Sequence, residues 1–185
     1  MLKRPTNFQL QEKSGALDFA TQKDHESEEL IVKSIRELRP GDGIIGDNTD
    51  GHIDDITRFV NEDTVLTVVE ENKNDENYGI LQENLKLLHK MRLENGKQLN
   101  VVEVPMPKPV IYEDQILPAS YANFYISNET VIVPTFQDLK NDDRALDIIQ
   151  QCFPTRRVVG IDSVDLIWGL GSFHCLSQQE PSIIL

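Results

Sequence analysis

The feature that most constrains this chain is an order of elements that occurs twice. Two strand-like runs, Ile53 to Val60 and Thr64 to Val69, flank the turn Asn61-Glu62-Asp63. Both are rich in the β-branched and aromatic residues that suit a pleated surface. A helix is expected over Asp75 to Glu94, because Tyr78, Leu81, Leu85 and Leu88 fall on one helical face and Asn95-Gly96 supplies a stop. Leu99 to Val104 reads as a third strand and runs into the stiff connector Pro105-Met106-Pro107-Lys108-Pro109. The same order returns: Tyr121 to Ile126, the turn Ser127-Asn128-Glu129, Thr130 to Pro134, a helix over Asn141 to Cys152, and a strand over Arg157 to Ile161. Asp142 and Asp143 favour the N-terminal end of that second helix. Asp63-Thr64-Val65 aligns with Glu129-Thr130-Val131, 66 residues further on. Two successive ββαβ units imply an α/β fold made by radial repetition, each unit burying its apolar face against its neighbours. Ahead of the repeat, Glu26 to Leu38 reads as a helix closed by Arg39-Pro40, and Ile183-Ile184-Leu185 forms an apolar tail.

A chain of 185 residues is long enough for one domain with a real core. Its 31 acids against 18 bases give a formal charge of −13, which argues against nucleic acid as a partner, since phosphate recognition needs basic patches. The same balance suits a small cationic ligand. The polar start Met1-Leu2-Lys3-Arg4-Pro5-Thr6 lacks the apolar core of a signal peptide, and no apolar run reaches the length of a membrane span. Two cysteines do not make a disulfide framework, so a cytoplasmic setting and no membrane partner are expected.

Three residues invite chemistry. Cys175 follows Gly169-Leu170-Gly171-Ser172-Phe173-His174, and two glycines there allow a tight backbone path that presents a thiol in a cleft. Cys152 is the contrast: it shares a helix with Leu146, Ile148 and Ile149 and reads as core. His52 and Asp54 stand two apart at the start of a strand-like run, where residues i and i+2 project to one side. An imidazole and a carboxylate facing one space suit proton transfer and cation binding. An EF-hand is excluded: with Gly51 at its sixth position, Gly46 and Thr57 would stand at the first and twelfth. A zinc site from His52, Asp54, His174 and Cys175 has no supporting ligand spacing. His25 and His89 fall in surface-like helical stretches.

Gly41-Asp42-Gly43-Ile44-Ile45-Gly46-Asp47-Asn48-Thr49-Asp50-Gly51-His52-Ile53-Asp54-Asp55-Ile56-Thr57-Arg58-Phe59-Val60 resembles a stretch of the agmatine deiminase family, which includes the Porphyromonas-type peptidylarginine deiminases. Three further segments resemble that family in the same order: Pro105 to Pro109, Ala119-Ser120-Tyr121-Ala122-Asn123-Phe124-Tyr125, and Gly169 to Gln179. The resemblance implies a pentein-type α/β propeller, here incomplete, with about two full blades and partial flanking ones. It also implies hydrolytic deimination of a guanidino group through an amidino-thioether on Cys175. His52 would be general acid and base, Asp54 a guanidinium-binding carboxylate and Asn123 a substrate-site residue. No metal or organic cofactor is implied. Agmatine, converted to N-carbamoylputrescine and ammonia, is the favoured substrate; peptidyl-arginine and a non-catalytic remnant stay open. Free arginine would call for a basic residue in the site, and Arg58, the basic residue beside these motifs, is expected to pair with a neighbouring acid.

The resemblance covers the family's C-terminal half. Residues 1–40 do not match the segment that carries the second substrate-binding acid, so residues 41–185 are expected to form the catalytic part and to need more chain for turnover. A second copy of the chain or the N-terminal half of the family stands as the expected macromolecular partner.

Overall fold

The computed structural model describes residues 52–178 and the backbone of two short strands before them. Contacts divide the chain into two units, Met1–Ile44 and Ile45–Leu185. In the first, β1 (Leu10–Glu12) pairs antiparallel with β2 (Phe19–Thr21). The expected helix at Glu26 to Leu38, His25, the Gly41 to Gly51 motif and the apolar tail lie outside the described residues.

The second unit carries the repeat. In its first half β3 (Thr57–Phe59) runs antiparallel to β4 (Thr64–Val69), α1 (Glu76–Lys90) follows, and β5 (Asn100–Pro105) lies parallel to β4. After β6 (Val110–Tyr112) and β7 (Gln115–Leu117) the second half repeats the plan. There β8 (Tyr125–Ile126) pairs antiparallel with β9 (Thr130–Thr135), α2 (Leu139–Cys152) crosses over, and β10 (Arg157–Asp162) lies parallel to β9. Each half is therefore a hairpin plus a helical crossover to a parallel strand, as the order of elements predicts. The registers repeat too: Thr64 stands opposite Asn100, and Thr130 opposite Arg157.

Local chemistry explains the helix ends. Asp75 caps α1, its side chain accepting from the Asn77 N–H at 2.9 Å. On the helix body Leu81 and Leu88 are buried, and Tyr78 and Leu85 are half-buried, so the expected apolar face is the one that packs. In α2 the acids do more than favour the helix dipole. Asp142 is buried and accepts from the Tyr121 hydroxyl at 2.7 Å and the Phe136 N–H at 3.0 Å.

The hairpin β6–β7 has no counterpart in the sequence reading. Its two-residue turn is Glu113-Asp114, both left-handed with φ of 47° and 64°. Such turns demand positive φ at both positions, and neither residue is the Asn or Gly that normally announces one.

The core joins the two halves. Leu66, Val68 and Val104 of the first sheet pack in one cluster with Tyr121, Phe124, Val131, Val133, Ile149 and Ile167. A smaller cluster of Val65, Leu88 and Leu99 lies under α1. Leu66→Ala, at a position with no exposure, should cost about 2–5 kcal/mol of stability, whereas Leu139→Ala, 81% exposed, should stay within about 0.5 kcal/mol. Urea unfolding of both variants beside the parent measures the difference; equal losses would place the core elsewhere.

Candidate functional site

Three segments converge. The first is not the strand entry that the spacing of His52 and Asp54 predicts. Residues Ile53–Asp55 form a 3-10 turn, and β3 begins only at Thr57. The alternation of a strand, which would put His52 and Asp54 on one side, therefore does not apply to them. Asp54 turns inward. His52 is exposed at the head of the turn, where its main-chain carbonyl accepts from the Asp55 N–H at 3.1 Å. Among the described residues its side chain makes no hydrogen bond to Asp54, Asn123 or Cys175.

The second segment is Ser120 to Phe124, buried throughout. The Ser120 hydroxyl donates to the Asp55 carbonyl at 2.6 Å and accepts from the Ala122 N–H at 3.1 Å, which ties this segment to the 3-10 turn. The third is the loop from Gly171 to Ser177. It follows a short 3-10 turn, Leu166–Gly169, that ends with Leu170 in the left-handed region at φ 61°. The two glycines are not equivalent here. A β-carbon on Gly169 would meet nothing within 4 Å, while one on Gly171 would sit 2.6 Å from Cys175 Cβ and 3.0 Å from its Sγ. Only Gly171 is needed for the thiol's place.

Asn123 fastens the three together. Its Oδ1 accepts from the Ser172 hydroxyl at 2.9 Å and from the main-chain N–H groups of Ser172, His174 and Cys175 at 3.2, 3.1 and 3.3 Å. Its Nδ2 donates toward Asp55 Oδ1 at 2.7 Å, Cys175 Sγ at 3.0 Å and Asp54 Oδ2 at 3.1 Å. Asp54 Oδ2 also accepts from His174 Nδ1 at 2.7 Å and from the Cys175 thiol at 3.3 Å. The structure thus brings Asp54, Asn123 and Cys175 together and adds Asp55 and His174. The oxygen and sulfur atoms of Asp54, Asp55 and Cys175 lie within 4.8 Å of one another, a grouping that differs from the zinc ligand set weighed in the sequence and excludes both histidines.

The electrostatics follow from this crowding. Burial opposes ionisation of Asp54, but hydrogen bonds from His174 and Cys175, with the charge of His174, hold its carboxyl below the usual value. Cys175 is open to solvent on one side, yet desolvation on the other pushes its thiol up to about 11. The Asn123 amide works against that rise, and the charges of Asp55 and Asp54 add to it. Without a ligand the sulfur is a thiol at neutral pH. Cys152 is half-buried against the core at the end of α2, and burial alone raises its thiol.

The charges of Asp54 and Asp55 act on Arg58, as expected of neighbouring acids, but its hydrogen bonds go elsewhere. Among the described residues its Nη1 donates to the carbonyls of Ala122 at 3.1 Å and Phe124 at 2.9 Å. The sequence offered two signals for the residues it left unassigned: Asp55 follows Asp54 and His174 precedes Cys175. Ser120 and Ser172 carried none, because their partners are 65 and 49 residues away.

Alkylation of Cys175 by iodoacetamide should therefore rise about tenfold per pH unit from pH 8 toward its value near 11, because only the thiolate reacts. Peptide mass spectrometry separates it from Cys152; a plateau below pH 9 would show that neither desolvation nor the carboxylates raise the thiol. The same shift makes the folded state hold a proton that the unfolded chain releases, so stability should be full below the ordinary thiol value of 9 and fall as pH rises toward 11. Gly171→Ala should displace the thiol and slow alkylation at fixed pH.

Comparison with known proteins places this site in a lineage. The family model of the Porphyromonas-type peptidyl-arginine deiminases matches residues 18–181. A Legionella pneumophila (strain Paris) protein named "Putative agmatine deiminase" is 37% identical over 139 residues, which cover 75% of this chain and 40% of that protein. The solved agmatine deiminase of Enterococcus faecalis is similar at a TM-score of 0.70 and 31% identity, over 83% of this chain and 48% of that one. A Porphyromonas gingivalis structure described as a "Putative Arginine Deiminase" gives 0.71 at 33%, over 93% and 55%. This chain spans about two fifths of the length of its curated relatives and about half that of the solved structures. The match across residues 18–181 leads to one conclusion: the chain belongs to the Porphyromonas-type peptidyl-arginine deiminase family.

Proposed function

We propose that this chain supplies the catalytic part of a guanidino-group deiminase whose substrate is agmatine, and that its two ββαβ units are neighbouring blades of a pentein propeller. The observation that carries this reading is the meeting of one thiol with two carboxylates around the Asn123 amide. A guanidinium is planar, permanently charged and resonance-stabilised, so its carbon needs both a carboxylate clamp and a strong nucleophile. Asp54 holds the N–H edge of the substrate and sets its carbon against Cys175 Sγ.

The raised thiol fits such a substrate. A unit charge about 4 Å from the sulfur is worth about 4 kcal/mol near a protein surface, or roughly three pKa units. That brings a thiol near 11 down to about 8, so arrival of the cation generates the nucleophile. The thiolate adds to the guanidinium carbon. Collapse of the adduct expels one nitrogen, which takes a proton and leaves as ammonia, and an amidino-thioether remains on Cys175. Water then adds to the same carbon, gives up its protons, and the C–S bond breaks to release the carbamoyl product and the thiolate.

His52 is the proposed proton carrier, exposed at the head of the turn that presents Asp54. A second reading gives that task to His174, and the 2.7 Å contact of its Nδ1 with Asp54 favours it. Agmatine is preferred to free arginine because Arg58 is engaged with main-chain carbonyls rather than offered to a substrate carboxylate.

The test joins this chain to the N-terminal portion of a full-length relative and follows ammonia and N-carbamoylputrescine. Cys175→Ala should lower turnover by at least about a thousandfold, while Cys152→Ala should change it by less than about twofold. Activity that survives Cys175→Ala ends the nucleophile assignment. His52→Ala should retain agmatine binding while losing rate; if His174→Ala does so and His52→Ala does not, the proton carrier is His174. Turnover of a peptide with internal arginine in place of agmatine would move the substrate to peptidyl-arginine.

A further inference from the structure

Residues 122–124 stand just ahead of β8, so no sheet ladder holds their main chain. Buried carbonyls outside a ladder need donors from elsewhere. Arg58, from β3, provides them for two. Its Nη1 lies 3.1 Å from the carbonyl of Ala122 and 2.9 Å from that of Phe124, and its guanidinium carbon stands 4.6 Å from the centre of the Phe124 ring. One nitrogen thus spans the carbonyls of the two residues that flank Asn123, Ala122 and Phe124, with the Phe124 ring beneath the guanidinium. All three residues it spans are fully buried.

What is clamped is the residue on which the site converges. The Asn123 side chain meets the Cys175 loop with its oxygen and meets Cys175 Sγ, Asp54 and Asp55 with its nitrogen. A rotation of the 122–124 backbone would swing both ends at once. We propose that Arg58 is a positioning residue that fixes the two carbonyls flanking Asn123 and thereby aims the Asn123 amide at Cys175 and Asp54. Its importance for turnover rests on the reading of Cys175 as nucleophile; the geometry it enforces does not.

The test therefore uses no substrate. In the 15N-labelled 185-residue chain, hydrogen exchange of the Asn123 side-chain amide is compared with that of the backbone amides of Leu66 and Val133, which report general opening. Arg58→Met removes the fork and keeps an apolar stem over Phe124. It should speed exchange at Asn123 by about tenfold or more beyond any change at Leu66 and Val133, the scale of one net hydrogen bond. Arg58→Lys retains the charge, but its ammonium ends one bond short of the Nη1 position and lacks the planar group that lies over Phe124, so its rate should lie between the two. If all three sites speed up in proportion, Arg58 only stabilises the fold and the proposal is overturned. Should Arg58→Met fail to fold, Arg58→Lys decides alone: faster exchange confined to Asn123 supports the clamp, and protection equal to the parent overturns it. A chain that never deiminates agmatine leaves either result fully readable.

Discussion

The amide of Asn123 has one acceptor oxygen and two N–H donors, and no solvent reaches it to make up for a lost partner. Leaving such a group unmatched costs about 1–3 kcal/mol per missing bond, so the surrounding chain is arranged to match it. Three main-chain N–H groups and one hydroxyl of the 172–175 loop point at its oxygen, forming a small concave nest. On the other side its nitrogen faces the thiol and both carboxylates. Neither the loop nor the 3-10 turn carrying Asp54 has a sheet ladder of its own. Their relative place is set through this side chain, the Ser120 hydroxyl beside it and the direct contacts of Asp54 with His174 and Cys175.

The repeated sheets supply what that junction cannot. Each half forms a hairpin, crosses over through one helix and closes with a parallel strand, and the apolar faces of both halves meet in a single cluster. Asp55 and Ser120 come from different halves, and Asp54 reaches Cys175 across 121 residues of sequence. A site assembled over such distances needs a stiff frame, because a displacement of about 1 Å in a catalytic group is enough to cost much of its effect. Buried polar groups stiffen the frame further: Asp142 holds the Tyr121 hydroxyl two residues before Asn123, and Thr67 and Asn84 link β4 to α1.

The charge pattern of the site is unfavourable to its own thiolate when empty. Two carboxylates beside a partly desolvated sulfur keep the proton on it, while His174 keeps Asp54 ionised. On the proposed function, a bound cation would relieve the repulsion and lower the thiol in the same event.

The sequence by itself determined the repeat. The β-branched runs Thr64 to Val69 and Thr130 to Pro134, the 3.6-residue spacing of Tyr78, Leu81, Leu85 and Leu88, and the turns between them are local signals, and local sterics and burial are enough to enforce them. The family-like segments likewise implied one site of His52, Asp54, Asn123 and Cys175. Tertiary structure alone decided how those residues meet. Strand spacing put His52 and Asp54 on one side, but a 3-10 turn stands where the strand was expected, and His174 meets Asp54. Charge suggested an acid for Arg58, and Asp54 and Asp55 do act on it, but its hydrogen bonds go to two unladdered carbonyls. Gly171 is required and Gly169 is not, because only the first lies against the folded-back Cys175. The reason is common to the first two. A residue's period along the chain fixes the side to which it points, whereas its partner depends on which segments, 50 to 120 residues away, the core has brought within hydrogen-bonding distance.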